Sequence, residues 1–301
     1  MSETSIPVPA GQPKTGFARD IATAAALGRR RKRADRIARA MCLLATAVAL
    51  VLLASILILL FVLGLESLSL RLFTTPTLPT GSNGGLANAI VGSLVQVGIG
   101  TALGTPIGML VGTFLAEYAR SSAFGNAVRF VSDILLSAPS ILIGLFIYEL
   151  VVVPFGGFSG WAGSLSLAVI VIPIVVRTTE DMLRLVPNTL REAVIALGAP
   201  KWKMITMVCW RAALSGIVTG LLLAIARIAG ETAPLLFTSL GNNTWASSLS
   251  RPYPSLPVTI YAFAGSPYQD WVGLAWAGAL LITLGVLALN ILARTALKPS
   301  K

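Results

Sequence analysis

Two charged residues stand inside an otherwise apolar stretch, AIARIAGETAPLLF at residues 224–237. Arg227 carries a planar guanidinium that can donate a fork of hydrogen bonds to an oxyanion. Glu231 follows four residues later, on the same face if the stretch is helical. The spacing leaves two interpretations open: an ion pair that only stabilises the helix, or a binding station for an anion, with Glu231 balancing the arginine once the anion has left.

A third charged residue, Arg177, directly follows the apolar run at 161–176. It is a candidate for a second anion station, and the alternative is a basic anchor at a membrane surface. A charge at the centre of a bilayer costs about 2.5–3.5 kcal/mol on insertion scales and normally faces a bundle interior or a wet cavity. The candidate pathway residues are therefore Arg227, Glu231 and Arg177, and each needs a helix that turns it away from lipid.

The composition of the chain identifies the solvent in which such helices lie. Of the 301 residues, 55% are hydrophobic and 12% are charged, whereas a soluble domain has about 25% charged residues. A transmembrane helix needs about 20 mostly apolar residues. Six runs reach or approach that length: 40–64, 87–116, 130–153, 161–176, 212–237 and 271–293. The sequence therefore predicts an all-α integral membrane protein with six transmembrane helices.

Basic residues set the expected orientation, because Lys and Arg near membrane segments stay on the cytoplasmic side. They concentrate in the leader up to residue 39, in the loops after the second and fourth runs, and at the carboxyl terminus. We expect both termini in the cytoplasm, with residues 1–39 forming a basic, disordered tail. The net charge of +11 fits contact with anionic lipid, and no motif indicates a nucleic-acid partner.

Missing residue types exclude most enzymatic and metal chemistry. The chain contains no histidine and only two, widely separated cysteines, so we expect no catalytic centre, no metal site and no cofactor. It also lacks a Gly-x-x-x-x-Gly-Lys-Ser/Thr loop for nucleotide phosphates. If the protein uses ATP, another chain must hydrolyse it.

A long loop on the predicted cytoplasmic side contains VPNTLREAVIALGAPKWKMI, residues 186–205. Thr189 and Glu192 have the spacing of a capping box, which predicts a helix start. Gly198 and Pro200 then predict the end of this helix and a second short helix at an angle to it. The first helix has one apolar stripe, formed by Leu190, Val194 and Leu197. We expect an elbow at 186–206 that packs either against a partner or on lipid headgroups.

Glu192 and Ala193, followed after a short interval by Gly198, resemble the EAA motif of ABC importer permeases. The usual Ile-x-Leu-Pro ending is absent, and VCWR at 208–211 stands near its place. Longer strings are similar to the phosphate-specific permeases, in particular to the second of their two related membrane subunits: GAPKWK, ARIAGETAPLLF, SLPVTIYAFAGSP and APSILIGLF. The similarity covers roughly residues 85–295.

The resemblance implies a permease subunit of an ATP-driven importer that moves inorganic phosphate across the cell inner membrane. Its fold would be the five-helix type I importer core at 85–295, preceded by one extra helix at 40–64. The implied partners are a homologous permease that completes a heterodimer, two copies of an ATP-binding subunit, and a periplasmic phosphate-binding protein. Glu192, Ala193 and Gly198 would lie in the elbow that docks on the ATP-binding subunit.

Two other functions stay open. A permease of the same fold could carry another oxyanion, such as sulfate or molybdate. A secondary anion transporter or channel would work without an ATPase, but moving an anion inward against the membrane potential costs about 2.3 kcal/mol per charge per 100 mV. Such a carrier needs a cation-coupling site, and the apolar runs hold few carboxylates besides Glu231 and no evident inverted repeat.

Overall fold

The computed structural model describes residues 15–296, and every regular element in that part of the chain is a helix. The chain divides into two compact units, one ending at Leu59 and the other beginning at Leu60. The prediction of an all-α protein is confirmed.

The first unit consists, in its described part, of one long helix. This helix, α1, runs Thr15–Glu66, and its last turns belong to the second unit. The structure differs from the predicted disordered tail at 1–39, because residues 15–39 are helical, while residues 1–14 lie outside the described residues. Alanine and arginine dominate this stretch and have high helix propensities, so it can be helical without an apolar period. The membrane-length part of α1, Ala34–Glu66, contains the predicted helix at 40–64.

The second unit contains the remaining helices. They are α2 (Arg71–Thr74), α3 (Ala87–Glu117), α4 (Ala123–Ser137), α5 (Ser140–Ile147), α6 (Gly160–Arg184), α7 (Asn188–Ala196), α8 (Lys201–Lys203), α9 (Trp210–Ile228), α10 (Ala233–Thr238), α11 (Leu256–Ala264) and α12 (Gln269–Ala296). Two π-helical segments, Tyr148–Val152 and Met204–Cys209, follow α5 and precede α9.

Five helical segments of the described chain are long and apolar enough to cross a membrane, and a bent pair raises the number to six. This agrees with the predicted number of spans, but three runs are built differently from the prediction. The run at 130–153 is split into α4 and α5, which meet at 105° where Pro139 interrupts the helix. The run at 161–176 continues to Arg184, because the charged residues that follow it form ion pairs.

The run at 212–237 is interrupted as well. The span is Lys201–Ile228, made of α8, the second π-helical segment and α9. The chain leaves the helix at 229–232, and α10 begins at Ala233 with Pro234 in its first turn. Proline lacks an N–H and suits a helix start rather than an interior. Pro234 therefore marks a new helix, and Glu231 lies in the break before it.

The centre of the second unit is a tight parallel crossing of α3 and α6. Glycines recur at every fourth position of α3 where it faces α6: Gly100, Gly104, Gly108 and Gly112. A Cβ atom at Gly112 would lie 2.6 Å from the carbonyl oxygen of Val176, too close for any side chain. Small residues let helix backbones approach in membranes, where van der Waals packing holds helices together. The glycines thus make α3 and α6 a closely packed pair.

The fifth span packs on α6 in the opposite direction. Gly220 of α9 lies against Thr178 of α6, and Gly216 lies against Met182. Because one residue number rises as the other falls, the two helices are antiparallel. Their shared apolar core includes Val171, Val175, Ala224 and Ile228. This packing fixes the depth of every residue on α9 relative to α6.

Candidate functional site

Arg227 and Glu231 form a loose pair at the end of α9. Arg227 Nε lies 3.8 Å from Glu231 Oε1, longer than a hydrogen bond. The expectation that both residues share one helix face is wrong, because α9 ends at Ile228 and Glu231 lies in the following break. The arginine side chain is 50% exposed and the glutamate side chain 15%. The guanidinium donors are therefore accessible to a ligand.

Arg227 is at the end of its own span, Lys201–Ile228, but level with the middle of α6. It is seven residues beyond Gly220, which packs against Thr178 of the antiparallel α6. It is therefore level with residue 171, close to the midpoint of α6. Charged side chains at this depth face other protein or water rather than acyl chains. The exposed side of Arg227 must border another polypeptide or an aqueous cavity.

Arg177 lies on α6, about 9 Å closer to the elbow than the level of Arg227 when each helical residue rises about 1.5 Å. Its Nε is 3.4 Å from Asp181 Oδ2, and its Nη1 is 4.0 Å from Asp133 Oδ1 on α4. All three side chains are about half exposed. The structure therefore brings Arg177 to two acidic side chains rather than to Arg227.

A buried ion cluster that the sequence does not predict joins α3, α4 and α6. Glu180 is 1% exposed, and its Oε1 lies 2.7 Å from Arg129 Nε and 2.6 Å from Arg184 Nη2. Arg129 also donates to the carbonyl oxygens of Leu115 and Ala119, at 3.0 Å each, near the end of α3. The i, i+4 spacing of Glu180 and Arg184 is a local signal, but Arg129 is 51 residues away from Glu180.

The elbow begins with α7, which follows Pro187. No side chain caps the start of this helix, so the predicted capping box of Thr189 and Glu192 is wrong. The reason is that α7 starts at Asn188, which places Thr189 inside the first turn, where its hydroxyl cannot serve as the cap.

The end of α7 agrees with the prediction. Gly198 has φ +78°, its N–H donates to the carbonyl oxygen of Ile195, and the N–H of Ala199 donates to that of Val194. This pattern is a Schellman motif, which favours glycine because of its left-handed residue. Pro200 then precedes the next span, so the second helix is not a short one but the start of Lys201–Ile228.

The outer face of the elbow is exposed and largely apolar. Glu192, Ala193 and Gly198 are all exposed there. The residues of the predicted apolar stripe do not share one environment. Val194 packs into the core, whereas Leu190 and Leu197 are exposed. Four large exposed side chains form what we term the elbow patch: Leu190, Ile195, Leu197 and Trp202. Exposed apolar patches of this kind mark protein or membrane contacts.

The inner face of α7 is anchored by Arg191, which no local sequence signal distinguishes. Its Nη2 and Nε lie 2.7 and 3.2 Å from Glu117 Oε1. It also donates to the carbonyl oxygens of Leu183, at 2.7 Å, and Val186. Burial lowers the pKa of Arg191, but the hydrogen bond and negative charge of Glu117 outweigh this and raise the pKa above its ordinary value. In the sequence, Arg191 is one basic residue among several in its loop.

Within residues 15–296, no three His, Cys, Asp or Glu side chains come together around a position that could hold a metal ion. What the described site can do is bind an anion at Arg227 and present the elbow patch to a partner.

Comparison with known protein families matches residues 104–297 to the family described as binding-protein-dependent transport system inner membrane component. The phosphate transport system permease protein PstA of Yersinia pestis is 56% identical over 239 residues, which cover 79% of this chain and 81% of that protein. PstA of Haemophilus influenzae is 57% identical over 231 residues, which cover 77% and 82%. A probable PstA of Methanocaldococcus jannaschii is 37% identical over 227 residues, which cover 75% and 79%. The resemblance to ABC importer permeases is confirmed.

The fold is similar to that of a solved transporter. A chain from the inward-facing MetNI methionine ABC transporter matches with a TM-score of 0.55 and 18% identity, covering 70% of this chain and 91% of that one. At this identity the likeness concerns the fold alone. The expected type I importer permease fold is thereby confirmed.

Proposed function

Since the chain belongs to the binding-protein-dependent transport system inner membrane components and is a permease subunit of a phosphate ABC importer, we propose that phosphate passes Arg227 as it crosses the membrane. One observation carries this proposal: the guanidinium is half exposed at mid-depth. An arginine in that position is stable only if it faces protein or water, and its planar fork matches phosphate oxygens.

Glu231 keeps the binding of phosphate weak. Its carboxylate lies 3.8 Å from Arg227 Nε, so it competes with the anion for the same positive charge. Conduction requires that a bound ion can leave again. Because Glu231 lies in a break between two helices rather than inside one, its backbone has more freedom to move when the anion arrives.

Arg177 acts as a second station, closer to the elbow. Its partners Asp133 and Asp181 lie at 4.0 and 3.4 Å, and these distances leave donors of Arg177 available to phosphate. The two aspartates weaken this binding, because like charges at close range are unfavourable, so phosphate can leave the station again. Passage from Arg227 to Arg177 follows the direction of import.

ATP is hydrolysed by a separate subunit that docks on the elbow. Glu192, Ala193 and Gly198 lie on the exposed outer face of the elbow. The elbow patch supplies an apolar surface on which the ATP-binding subunit can pack. Two copies of the ATP-binding subunit serve two permeases, of which this chain is one. Movement of the elbow then opens and closes the pathway.

The second permease is a homologous chain, and the two form a heterodimer whose interface includes the exposed side of Arg227. A periplasmic phosphate-binding protein delivers the substrate to the opposite end of the bundle from the elbow. Both termini lie in the cytoplasm, as the distribution of basic residues indicates.

The alternatives are less well supported. The high identity to permeases named for phosphate favours phosphate over sulfate or molybdate. Membership of a binding-protein-dependent family favours an ATP-driven importer over a secondary carrier or a channel.

Uptake of radiolabelled phosphate tests this function. In cells that lack the chromosomal permease gene, the wild-type chain should restore uptake, and Arg227→Gln should not, although the complex assembles. Labelled sulfate serves as the control substrate. If the wild-type chain restored sulfate uptake but not phosphate uptake, the transported anion would be sulfate. Full phosphate uptake by Arg227→Gln would show that phosphate does not depend on Arg227 to cross.

A further inference from the structure

The elbow has two arms, α7 and the helix that begins at Lys201. Both arms form hydrogen bonds to Glu117, the last residue of α3. From the first arm, Arg191 donates to the Glu117 carboxylate at 2.7 and 3.2 Å. From the second arm, Lys201 Nζ donates to the Glu117 carbonyl oxygen at 2.7 Å and lies 4.2 Å from the ring centroid of Tyr118. We term Glu117, Arg191 and Lys201 the elbow clamp.

The clamp reaches a third element, the end of α6. Arg191 also donates to the carbonyl oxygen of Leu183, in the last turn of α6, and to that of Val186, which follows this helix. One guanidinium therefore ties α3, α6 and α7 together.

The connectivity of the chain explains why such a tie is needed. The elbow is continuous with α6 through residues 185–187 and with α9 through the π-helical segment Met204–Cys209. It does not adjoin α3 in the chain, because 70 residues separate the end of α3 from the start of α7. Non-covalent contacts must therefore carry any movement from the elbow to α3.

The ion pair is poorly suited to a purely stabilising role. The side chains of Arg191 and Glu117 are 10% and 5% exposed, and desolvation of such a pair offsets much of its attraction. Buried pairs can often be replaced by apolar residues of similar size without loss of stability. What an apolar contact cannot reproduce is a directional link to one carboxylate and two carbonyl oxygens.

We propose that Glu117 and Arg191 are positioning residues that transmit the ATP-driven movement of the elbow to α3. This rests on the proposed function, in which the elbow receives the ATP-binding subunit. Because the glycine positions pack α3 closely on α6, α3 moves together with the helix that carries Arg177. Lys201 supports the same link from the second arm.

The test uses the complete complex in proteoliposomes, with phosphate transported per ATP hydrolysed as the readout. The central variant is the double replacement Glu117→Leu with Arg191→Met. We expect it to assemble, because the ion pair is replaced by apolar contacts, and to unfold at a somewhat lower temperature, because the carbonyl oxygens of Leu183 and Val186 lose a donor. We expect phosphate moved per ATP to fall by about tenfold or more, which corresponds to ~1.4 kcal/mol.

Arg211→Met is the matched control. Arg211 is an exposed arginine at the start of α9 and is not part of the clamp, so its replacement should leave the ratio unchanged. If the double variant destabilises the complex, Arg191→Lys decides the question, because lysine keeps the positive charge beside Glu117 but lacks the planar fork that donates to the carboxylate and the two carbonyl oxygens together. Coupling should fall in that variant too.

Normal coupling in a stable double variant, or in Arg191→Lys, would show that the clamp does not transmit movement and that the ion pair serves only the structure. The wild-type complex separates this result from a failure of the proposed function. If the wild-type chain transports no phosphate, the proposed function fails first. If it transports phosphate and the variants stay coupled, the clamp alone is wrong.

Discussion

Arg227 Nε and Glu231 Oε1 face each other at 3.8 Å across the end of α9, not along one face of a continuous helix. A pair that served to stabilise the helix would lie within it and be hydrogen-bonded. Here the glutamate belongs to the break at 229–232, so the two charges can separate without unwinding α9. This arrangement fits an arginine that exchanges one negative partner for another.

The double replacement Arg227→Met with Glu231→Leu distinguishes the two interpretations of this pair. We expect an assembled complex without phosphate uptake, because the anion has lost its positive partner. Arg227→Lys should retain part of the uptake, since lysine keeps the charge but not the planar fork. Radiolabelled phosphate uptake in membranes, with subunit assembly measured in parallel, provides the comparison. An active double variant would show that the two charges serve only the structure.

The glycines of α3 give a prediction about stability. Gly112→Ala places a Cβ atom 2.6 Å from the carbonyl oxygen of Val176, and overpacking of this kind costs about 1–3 kcal/mol. Gly98→Ala is the matched control on the same helix, because no atom lies within 4 Å of its added Cβ. Thermal unfolding of the purified complex in detergent should show a lower midpoint for Gly112→Ala only. Equal midpoints for the two variants would contradict the close packing of α3 on α6.

Local properties of the sequence predict most of the fold. Apolar length and composition give the number of spans, because membrane insertion depends on each segment by itself. Whether a proline kinks a helix or ends it depends on what packs beside it. Pro139 breaks its run, and α5 then packs on α10, where a Cβ at Gly144 would lie 2.7 Å from the Cα of Pro234. Such a contact between distant segments has no local signal.

The candidate site also contains some residues that the sequence identifies and others that only the fold identifies. Arg227 stands out in the sequence because a charge in an apolar run is costly, and Gly198 stands out because a glycine before proline ends a helix. Arg191 does not stand out, since its partner Glu117 lies 74 residues away. Only the fold, which brings the end of α3 against the elbow, distinguishes this arginine from its basic neighbours.

Gly198 gives a prediction about coupling that depends on backbone geometry rather than charge. Proline cannot adopt φ +78° and lacks the N–H that donates to Ile195, so Gly198→Pro should change the angle between the two arms of the elbow. The spans do not depend on this residue, and the variant should still insert and assemble. We expect phosphate-stimulated ATP hydrolysis and phosphate uptake to be lost.

Gly198→Asn is the control for that variant, because asparagine tolerates the left-handed conformation and keeps its N–H. It should retain most of the transport activity. ATP hydrolysis and phosphate uptake are both measured in proteoliposomes that contain the complete complex. If the proline variant transports phosphate as well as the asparagine variant does, the angle set by Gly198 plays no part in coupling, and docking must depend on the elbow patch alone.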